Sequence, residues 1–246
     1  MPIITSNELF PHCKDEAKLI ERRVIELAPI VAETEVLYAE FIFRIASMFK
    51  LPVAQANIIG LIELYDVVIC DLNLGRKMPS SFTEHDLKHL EFIQNYYFAL
   101  LNEKEYDKVI ATPILKQMML NMENVISGKL HKKMTLLSAH DTNVAPMLTF
   151  LNLTTPNCLK KKFHNETVTQ NCAKPVPFAS SLLLELHQRD NSAEGSTDPA
   201  SYYVKVRYNG DYYKLCQTEK KECDFAEFAS RVRHHLVDFD KECGNK

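Results

Sequence analysis

The sequence predicts a mixed α/β protein, with a mostly helical part over residues 1–130 and an α/β part over residues 131–246. In the first part, apolar residues recur every three or four positions, which is the period of an amphipathic helix. After Lys133 the pattern changes to short apolar runs separated by turn-forming residues, which is typical of strands. With 46% hydrophobic and 25% charged residues, the chain of 246 residues has a globular composition and can bury a sizeable core.

Four helices are predicted in the first part. They span Ala32–Phe49, Asn57–Cys70, the stretch from the Ser80–Thr83 cap to about Asn102, and the stretch from Pro113 to Gly128. Pro52 ends the first helix, because the residue before a proline is displaced from helical backbone angles. Gly128 ends the last helix, since glycine readily adopts the left-handed conformation found at helix C-termini.

The second part is predicted to begin with a strand, a turn and a helix. Met134–Ala139 is a short apolar run of the kind found in buried strands, and helical character returns over Thr142–Leu151. The polar segment Asn152–Pro177, which contains two cysteines, is predicted to be a surface loop held by a disulfide.

A hairpin and a helix complete the predicted elements. Ser181–His187 and Tyr202–Tyr208 have the composition of strands. Asn209-Gly210 is a strong signal for a tight turn, and Tyr212–Leu215 is the expected strand after it. The last helix is predicted over Asp224–Phe239.

The charge balance excludes some classes of partner. Lysine and arginine number 29 against 32 aspartates and glutamates, so the net charge is −3 and there is no basic excess to hold nucleic acid. No apolar run approaches the roughly 20 residues that span a bilayer. We therefore expect a small-molecule ligand, no nucleic-acid partner and no transmembrane segment.

Cysteines and glycosylation signals point to the secretory pathway. The chain has seven cysteines and two N-x-[ST] sequons, at Asn152 and Asn165. An odd number of cysteines leaves at least one thiol unpaired within the chain. The sequence from Met1 has no apolar signal-peptide segment. The cysteines and sequons are thus those of an exported protein, whereas an export signal is not found in the sequence from Met1.

The clearest candidate for chemistry is the pair His140-Asp141, which lies between the predicted strand and the predicted helix. At such a junction, backbone N–H groups and the helix dipole attract an anion such as phosphate. A histidine there can donate to the anion, and an aspartate can deliver a proton. The plain alternative is that Asp141 or Thr142 caps the helix and His140 is a satisfied core residue.

Several segments together resemble the histidine acid phosphatases, the family of the prostatic and lysosomal acid phosphatases and the phytases. They are the run Leu136–Leu153 around His140-Asp141, the Tyr65-Asp66 pair with Cys70, the stretch Phe178–Leu186, and the hairpin, cysteine pair and helix of Val206–Phe228. The resemblance extends from Cys13 onward.

The resemblance implies a partial phosphoglycerate-mutase-like three-layer sheet with a large helical insertion domain, in a secreted or lysosomal protein. It implies hydrolysis of phosphomonoesters through a phosphohistidine, with His140 binding phosphate and Asp141 as the proton donor. The expected ligands are a phosphomonoester or inorganic phosphate, with no cofactor and no metal. The oligomeric state is left open between monomer and homodimer.

One part of the family pattern is missing from these 246 residues. The nucleophilic histidine of the family stands in an Arg-His-Gly-x-Arg-x-Pro motif, whereas the only Arg-His step here is Arg233-His234, followed by His235. We therefore expect a truncated family member that is inactive alone. The alternative is a non-catalytic relative that binds phosphate or another protein.

The resemblance also implies disulfide pairs. By the resemblance, Cys13 is expected to bond Cys243, and Cys216 is expected to bond Cys223. Cys70 is expected to bond Cys158 or Cys172, with the alternative that these two bond each other and leave Cys70 free.

Two further groups of residues are candidate binding sites. His85 and His89 share one helix face at a spacing that can hold a metal, but a third ligand is lacking, so two solvated histidines are expected. Lys160–Lys162 is expected to be a solvated loop.

Overall fold

The computed structural model describes residues 12–103, 105–131, 133–190, 192–216 and 220–245. It confirms the mixed α/β class, with many helices and one small antiparallel sheet. The helices are α1 (Glu16–Leu37), α2 (Ala39–Met48), α3 (Ile58–Asn73), α4 (Glu84–Leu101), α5 (Glu105–Ile126), α6 (Asp141–Phe150), α7 (Pro156–Phe163), α8 (Phe225–His235) and α9 (Phe239–Glu242). The strands are β1 (Leu182–Gln188), β2 (Tyr202–Tyr208), β3 (Asp211–Tyr213) and β4 (Cys223–Asp224).

The predicted helix Ala32–Phe49 is interrupted at Tyr38, which separates α1 from α2. Expecting one continuous helix was wrong. The break changes the direction of the chain, and as a result Leu27 of α1 and Ile45 of α2 are buried in the same core. The apolar periodicity of a single segment does not predict the break at Tyr38, because the break depends on where the other helices lie.

The caps of α3 and α4 are side-chain hydrogen bonds. Asn57 accepts from the backbone N–H of Gly60 at 2.9 Å. Thr83 Oγ1 accepts from the Asp86 N–H at 3.2 Å, and the Asp86 carboxylate accepts from the Thr83 N–H at 2.9 Å. Asp86 is buried and also pairs with Arg44 of α2. The hydrogen bond from Arg44 lowers the pKa of Asp86 to about 2, and the pair connects α2 to α4.

Helix α5 begins at Glu105, before Pro113, so the expectation that the helix starts at this proline was wrong. An interior proline removes one hydrogen bond and costs about 3 kcal/mol. The helix continues because residues on both sides of the proline, Val109 and Leu115, are buried against other elements.

The apolar run Met134–Ala139 is neither strand nor helix, so the predicted strand was wrong. None of the four described strands pairs with this run. Met134 is 72% exposed and Leu136 is 84% exposed, whereas Leu137 packs on the core. A buried strand needs hydrogen-bond partners for its backbone N–H and C=O groups, which a neighbouring strand provides. The local sequence does not show whether such a strand is present.

Asn152–Pro177 is more ordered than the predicted surface loop. It contains α7, where Thr155 Oγ1 accepts from the Cys158 N–H at 3.1 Å. Leu153 and Cys158 are fully buried. The first half of the segment is therefore packed and helical, while residues 164–170 are mostly exposed.

The two long predicted strands are confirmed and pair with each other. β1 and β2 are antiparallel, from Leu182 opposite Tyr208 to Gln188 opposite Tyr202. Asn209-Gly210 turns the chain into β3, and both residues have positive φ, as a tight hairpin turn requires. β4 pairs with β2 as well, which leaves β1 at the edge of the sheet.

Two large apolar clusters form the interior. One lies among α1, α2, α3 and α4, and the other is built by α5, α6, the sheet and α8. α5 belongs to the second cluster although it precedes residue 131, and the division of the chain at residue 130 stays a prediction.

Three disulfides are present in the described residues. Cys13 bonds Cys243, and Cys216 bonds Cys223, which are the two pairs that the resemblance implies. Of the two alternatives for the remaining cysteines, the pairing of Cys70 was wrong and the other is found: Cys158 and Cys172 bond each other, and Cys70 is a free, exposed cysteine. Cys158 and Cys172 are only 14 residues apart and lie within one packed unit, whereas Cys70 is exposed on α3.

The three disulfides fit a secreted or lysosomal protein. Among the helices of the described residues, none is both long and apolar enough to cross a membrane.

The open edge of β1 predicts self-association. Leu182, Leu184 and Leu186 face the core, so Leu183 lies on the other face of this edge strand. We expect Leu183→Lys to slow aggregation of the purified chain, because a charge on an edge strand opposes pairing with another chain. Light scattering over time measures this. Val53→Lys, at an exposed apolar residue outside the sheet, is the control, and an equal effect of both variants would contradict a role for the edge.

A buried carboxylate predicts a pH-dependent stability. Burial raises the pKa of Asp107, in the first turn of α5, to about 7. Its free energy cost is absent below the unfolded-state pKa of about 4, grows as the pH rises, and is complete above pH 7. Asp107→Asn should therefore stabilise the fold by about 2–4 kcal/mol at pH 8 and by almost nothing at pH 4. Urea unfolding at both pH values measures this difference.

Glu105→Gln is the matched control for this prediction, because Glu105 lies in the same helical turn and is largely exposed. A gain for Asp107→Asn that is equal at the two pH values would rule out titration of Asp107 as the cause.

Candidate functional site

His140 and Asp141 lie at the start of α6. His140 is the N-cap residue with extended backbone angles, φ −95° and ψ 168°, and Asp141 is the first residue of the helix. Both residues are exposed to solvent. The alternative of a buried core histidine with Asp141 or Thr142 as the cap is therefore wrong.

Short hydrogen bonds hold the backbone around the two residues. The backbone N–H of His140 donates to Asn143 Oδ1 at 3.1 Å, and the N–H of Thr142 donates to Asp141 Oδ1 at 2.8 Å. His140 and Asn143 form a capping box at this helix start, in which each side chain pairs with the backbone of the other residue. Both His140 and Asp141 are nevertheless exposed, so a ligand can reach their side chains.

The position of the site is set by the packing of α6. Ala145, Met147 and Leu148 are buried, and α6 packs closely on α5. These contacts hold the first turn of α6 against the core while His140 and Asp141 face water. Because the first N–H groups of a helix have no partners within the helix, this end favours an anion.

The arrangement has defined chemical capacities. An exposed imidazole next to a helix N-terminus can bind an oxyanion by hydrogen bonding, and by charge when the imidazole is protonated. A neighbouring carboxylic acid can transfer a proton to a leaving oxygen. A nucleophilic attack would need a further group that these two residues do not supply.

The only Arg-His step of the sequence lies elsewhere, in the last turn of α8. Arg233 pairs with Glu123 of α5. His234 contacts His235, with ring centroids 5.2 Å apart, and burial lowers the pKa of His235. Its helical setting and its ion pair identify this step as part of the packing between α8 and α5.

The two sequon asparagines occupy equivalent positions. Asn152 follows the end of α6 and Asn165 follows the end of α7. Both are exposed with positive φ, 55° and 57° respectively. Asparagine tolerates this left-handed conformation, so a local structural requirement also accounts for the residue type. Glycosylation of these residues stays a prediction.

The histidines of α4 are close together but do not form a metal site with other described residues. The rings of His85 and His89 are 4.1 Å apart, and His89 Nδ1 contacts the carbonyl oxygen of His85 at 2.9 Å. The one cluster of three potential metal ligands among the described residues is elsewhere, at Cys216, Cys223 and Glu227. Its two sulfur atoms are in a disulfide, so they are not thiolate ligands.

The three lysines expected in a loop belong instead to α7. Lys162 lines a groove between α7 and α4, together with His85 and His89. These two segments are about 70 positions apart in the chain. Their helical periodicity is a local signal, and only packing brings them together.

Comparison with known proteins identifies a family. The model of the histidine phosphatase superfamily, branch 2, matches residues 57–209. The match spans α3 through β2, so it includes His140 and Asp141 and covers more than half of the chain. A search of curated protein sequences gave no match.

Proposed function

Since the chain belongs to branch 2 of the histidine phosphatase superfamily, we propose that it carries the phosphate-binding and proton-donating part of a histidine acid phosphatase. In this proposal His140 binds the phosphoryl group of a phosphomonoester, and Asp141 protonates the leaving alcohol. The observation that carries the proposal is the exposure of both residues at the N-terminus of α6.

The proposed role of His140 follows from its position. The imidazole stands beside the backbone N–H of Asp141, for which no described residue is an acceptor, and a phosphoryl oxygen can accept hydrogen bonds from both. The Asn143 side chain holds the backbone of His140, which limits the positions that the imidazole can reach. Phosphate and the terminal phosphoryl group of a substrate share this recognition.

The proposed role of Asp141 follows from its hydrogen bonding. Oδ1 accepts from the Thr142 N–H, which orients the carboxyl group. The other oxygen has no partner in the described residues and can hold a proton. Delivery of that proton to the ester oxygen completes the departure of the alcohol as the bond to phosphorus breaks.

The covalent step is the part that these 246 residues do not supply. The sequence contains no Arg-His-Gly-x-Arg-x-Pro motif, and without a nucleophile no phosphohistidine forms. We propose that this chain alone binds phosphate and does not turn over phosphomonoesters. The same observation favours the second candidate, a non-catalytic relative that uses the site for binding only.

The proposed location is outside the cytosol. Three disulfides support a secreted or lysosomal protein, and the exposure of Asn152 and Asn165 is compatible with N-glycosylation.

The proposal predicts binding without turnover. At pH 5 we expect saturable binding of inorganic phosphate by calorimetry, and no release of p-nitrophenol from p-nitrophenyl phosphate above the buffer rate. His140→Ala should weaken phosphate binding at least about fivefold, because a charge-assisted hydrogen bond is lost. His131→Ala removes another exposed histidine of the described residues and should change nothing.

Two results would contradict the proposal. Phosphate binding that is unchanged in His140→Ala would remove the assigned role of this residue. Turnover by the purified chain that disappears in Asp141→Ala would show that a nucleophile is present after all.

A further inference from the structure

A second site candidate lies between α4 and α7 and shares no residue with the His140-Asp141 site. The α4–α7 groove has a volume of about 520 Å³. Its principal lining residues are His85, Lys88, His89, Lys162, Phe163 and Lys174. The volume suits a small molecule of one or two rings.

One wall of the α4–α7 groove is aromatic. Phe163 of α7 stacks on Phe92 of α4, with ring centroids 4.0 Å apart and an interplanar angle of 14°. The ring of His89 meets Phe163 edge-on at 4.9 Å, and His85 lies 4.1 Å from His89. All four rings are lining residues, so the groove offers a planar ligand the ring edges and the ring faces that Phe92 and Phe163 do not turn toward each other.

The remaining charged lining residues are mostly cationic. Lys88, Lys162 and Lys174 line the α4–α7 groove, against a single acid, Glu91. Glu91 pairs with Lys174, and Lys88 lies 3.0 Å from Glu84 in the preceding turn. Lys162 makes no ion pair with any described residue. The groove therefore has a positive excess in a protein of net charge −3.

The α4–α7 groove is held in shape by contacts beneath it. The Cys158–Cys172 disulfide fixes α7 to the segment that follows it, and Thr155 caps the helix. Cys158 and Leu159 form a small buried cluster with Ala99 of α4. Because Cys158 and Leu159 are buried and Leu159 also lines the groove, a ligand meets a preformed wall.

We propose that the α4–α7 groove binds a small aromatic ester of sulfate or phosphate. The ring lies against the outer side of the Phe163–Phe92 stack, and the oxyanion is held by Lys162. Stacking and charge act on two different parts of one ligand, so neither part alone should bind as tightly. This site is independent of the proposed function, since His140 and Asp141 take no part in it.

The test uses 1-naphthyl sulfate, which carries both parts and has no phosphoryl group. The oxidised full chain is prepared without N-glycans, because Asn165 also lines the groove. Calorimetry should give saturable binding with a Kd of about 0.1–1 mM. 1-Naphthol and inorganic sulfate should each bind at least about tenfold more weakly, as each retains only one of the two interactions.

Variants on α7 locate the binding. Lys162→Glu should raise the Kd at least about tenfold, because it places a carboxylate beside the oxyanion. Lys160→Glu is the matched control, since Lys160 is an exposed residue of the same helix that does not line the groove. It should leave the Kd within about twofold.

A second measurement does not depend on a variant that folds. The ring protons of His85 and His89 should shift in the NMR spectrum of the unmodified chain as 1-naphthyl sulfate is added, while those of His131 should not. Shifts spread equally over all three histidines would overturn the proposal.

Other outcomes also overturn the proposal. If inorganic sulfate binds as tightly as 1-naphthyl sulfate, the aromatic wall does not contribute to binding. If 1-naphthol binds as tightly, the lysines do not contribute. Equal losses in Lys162→Glu and Lys160→Glu would show non-specific attraction to the helix. The absence of saturation would show that there is no site.

Discussion

The packing of α5 against α6 buries Leu115 and Leu148 completely, and the positions of most other elements follow from it. α5 also contacts α1, α8 and α9, so it connects the helical cluster to the core beside the sheet. This burial outweighs the lost hydrogen bond at Pro113, because several side chains of apolar surface exceed a cost of about 3 kcal/mol. It also presents the first turn of α6 to solvent, and thereby His140 and Asp141.

Most of the apolar surface of this protein is buried, but some of it is exposed. Most apolar side chains around α5 are buried, whereas Met134 and Leu136 are exposed and β1 pairs with a described strand on one side only. Leu137 and β1 pack on the same apolar cluster. Exposed apolar side chains and an open strand edge both favour association with another polypeptide.

Two anion-binding surfaces of different design are proposed in one chain. The first, at His140, depends on a helix N-terminus and a single imidazole, which recognise a small oxyanion without reference to what it is attached to. The second, the α4–α7 groove, combines lysines with stacked rings and therefore selects for an aromatic body as well as a charge. Family membership supports only the first, because the second rests on the packing of α7, which the Cys158–Cys172 disulfide maintains.

Local signals in the sequence were sufficient for the helix that Asn57 caps, the hairpin at Asn209-Gly210 and the placement of His140 before a helix. Each depends on residues a few positions apart, whose backbone preferences and hydrogen bonds hold in most contexts. Tertiary structure alone decided the break at Tyr38, the continuation of α5 through Pro113, the absence of a strand at 134–139 and the α4–α7 groove. These depend on which distant segments bury an apolar face or pair a backbone, and such partners are not encoded in the local periodicity.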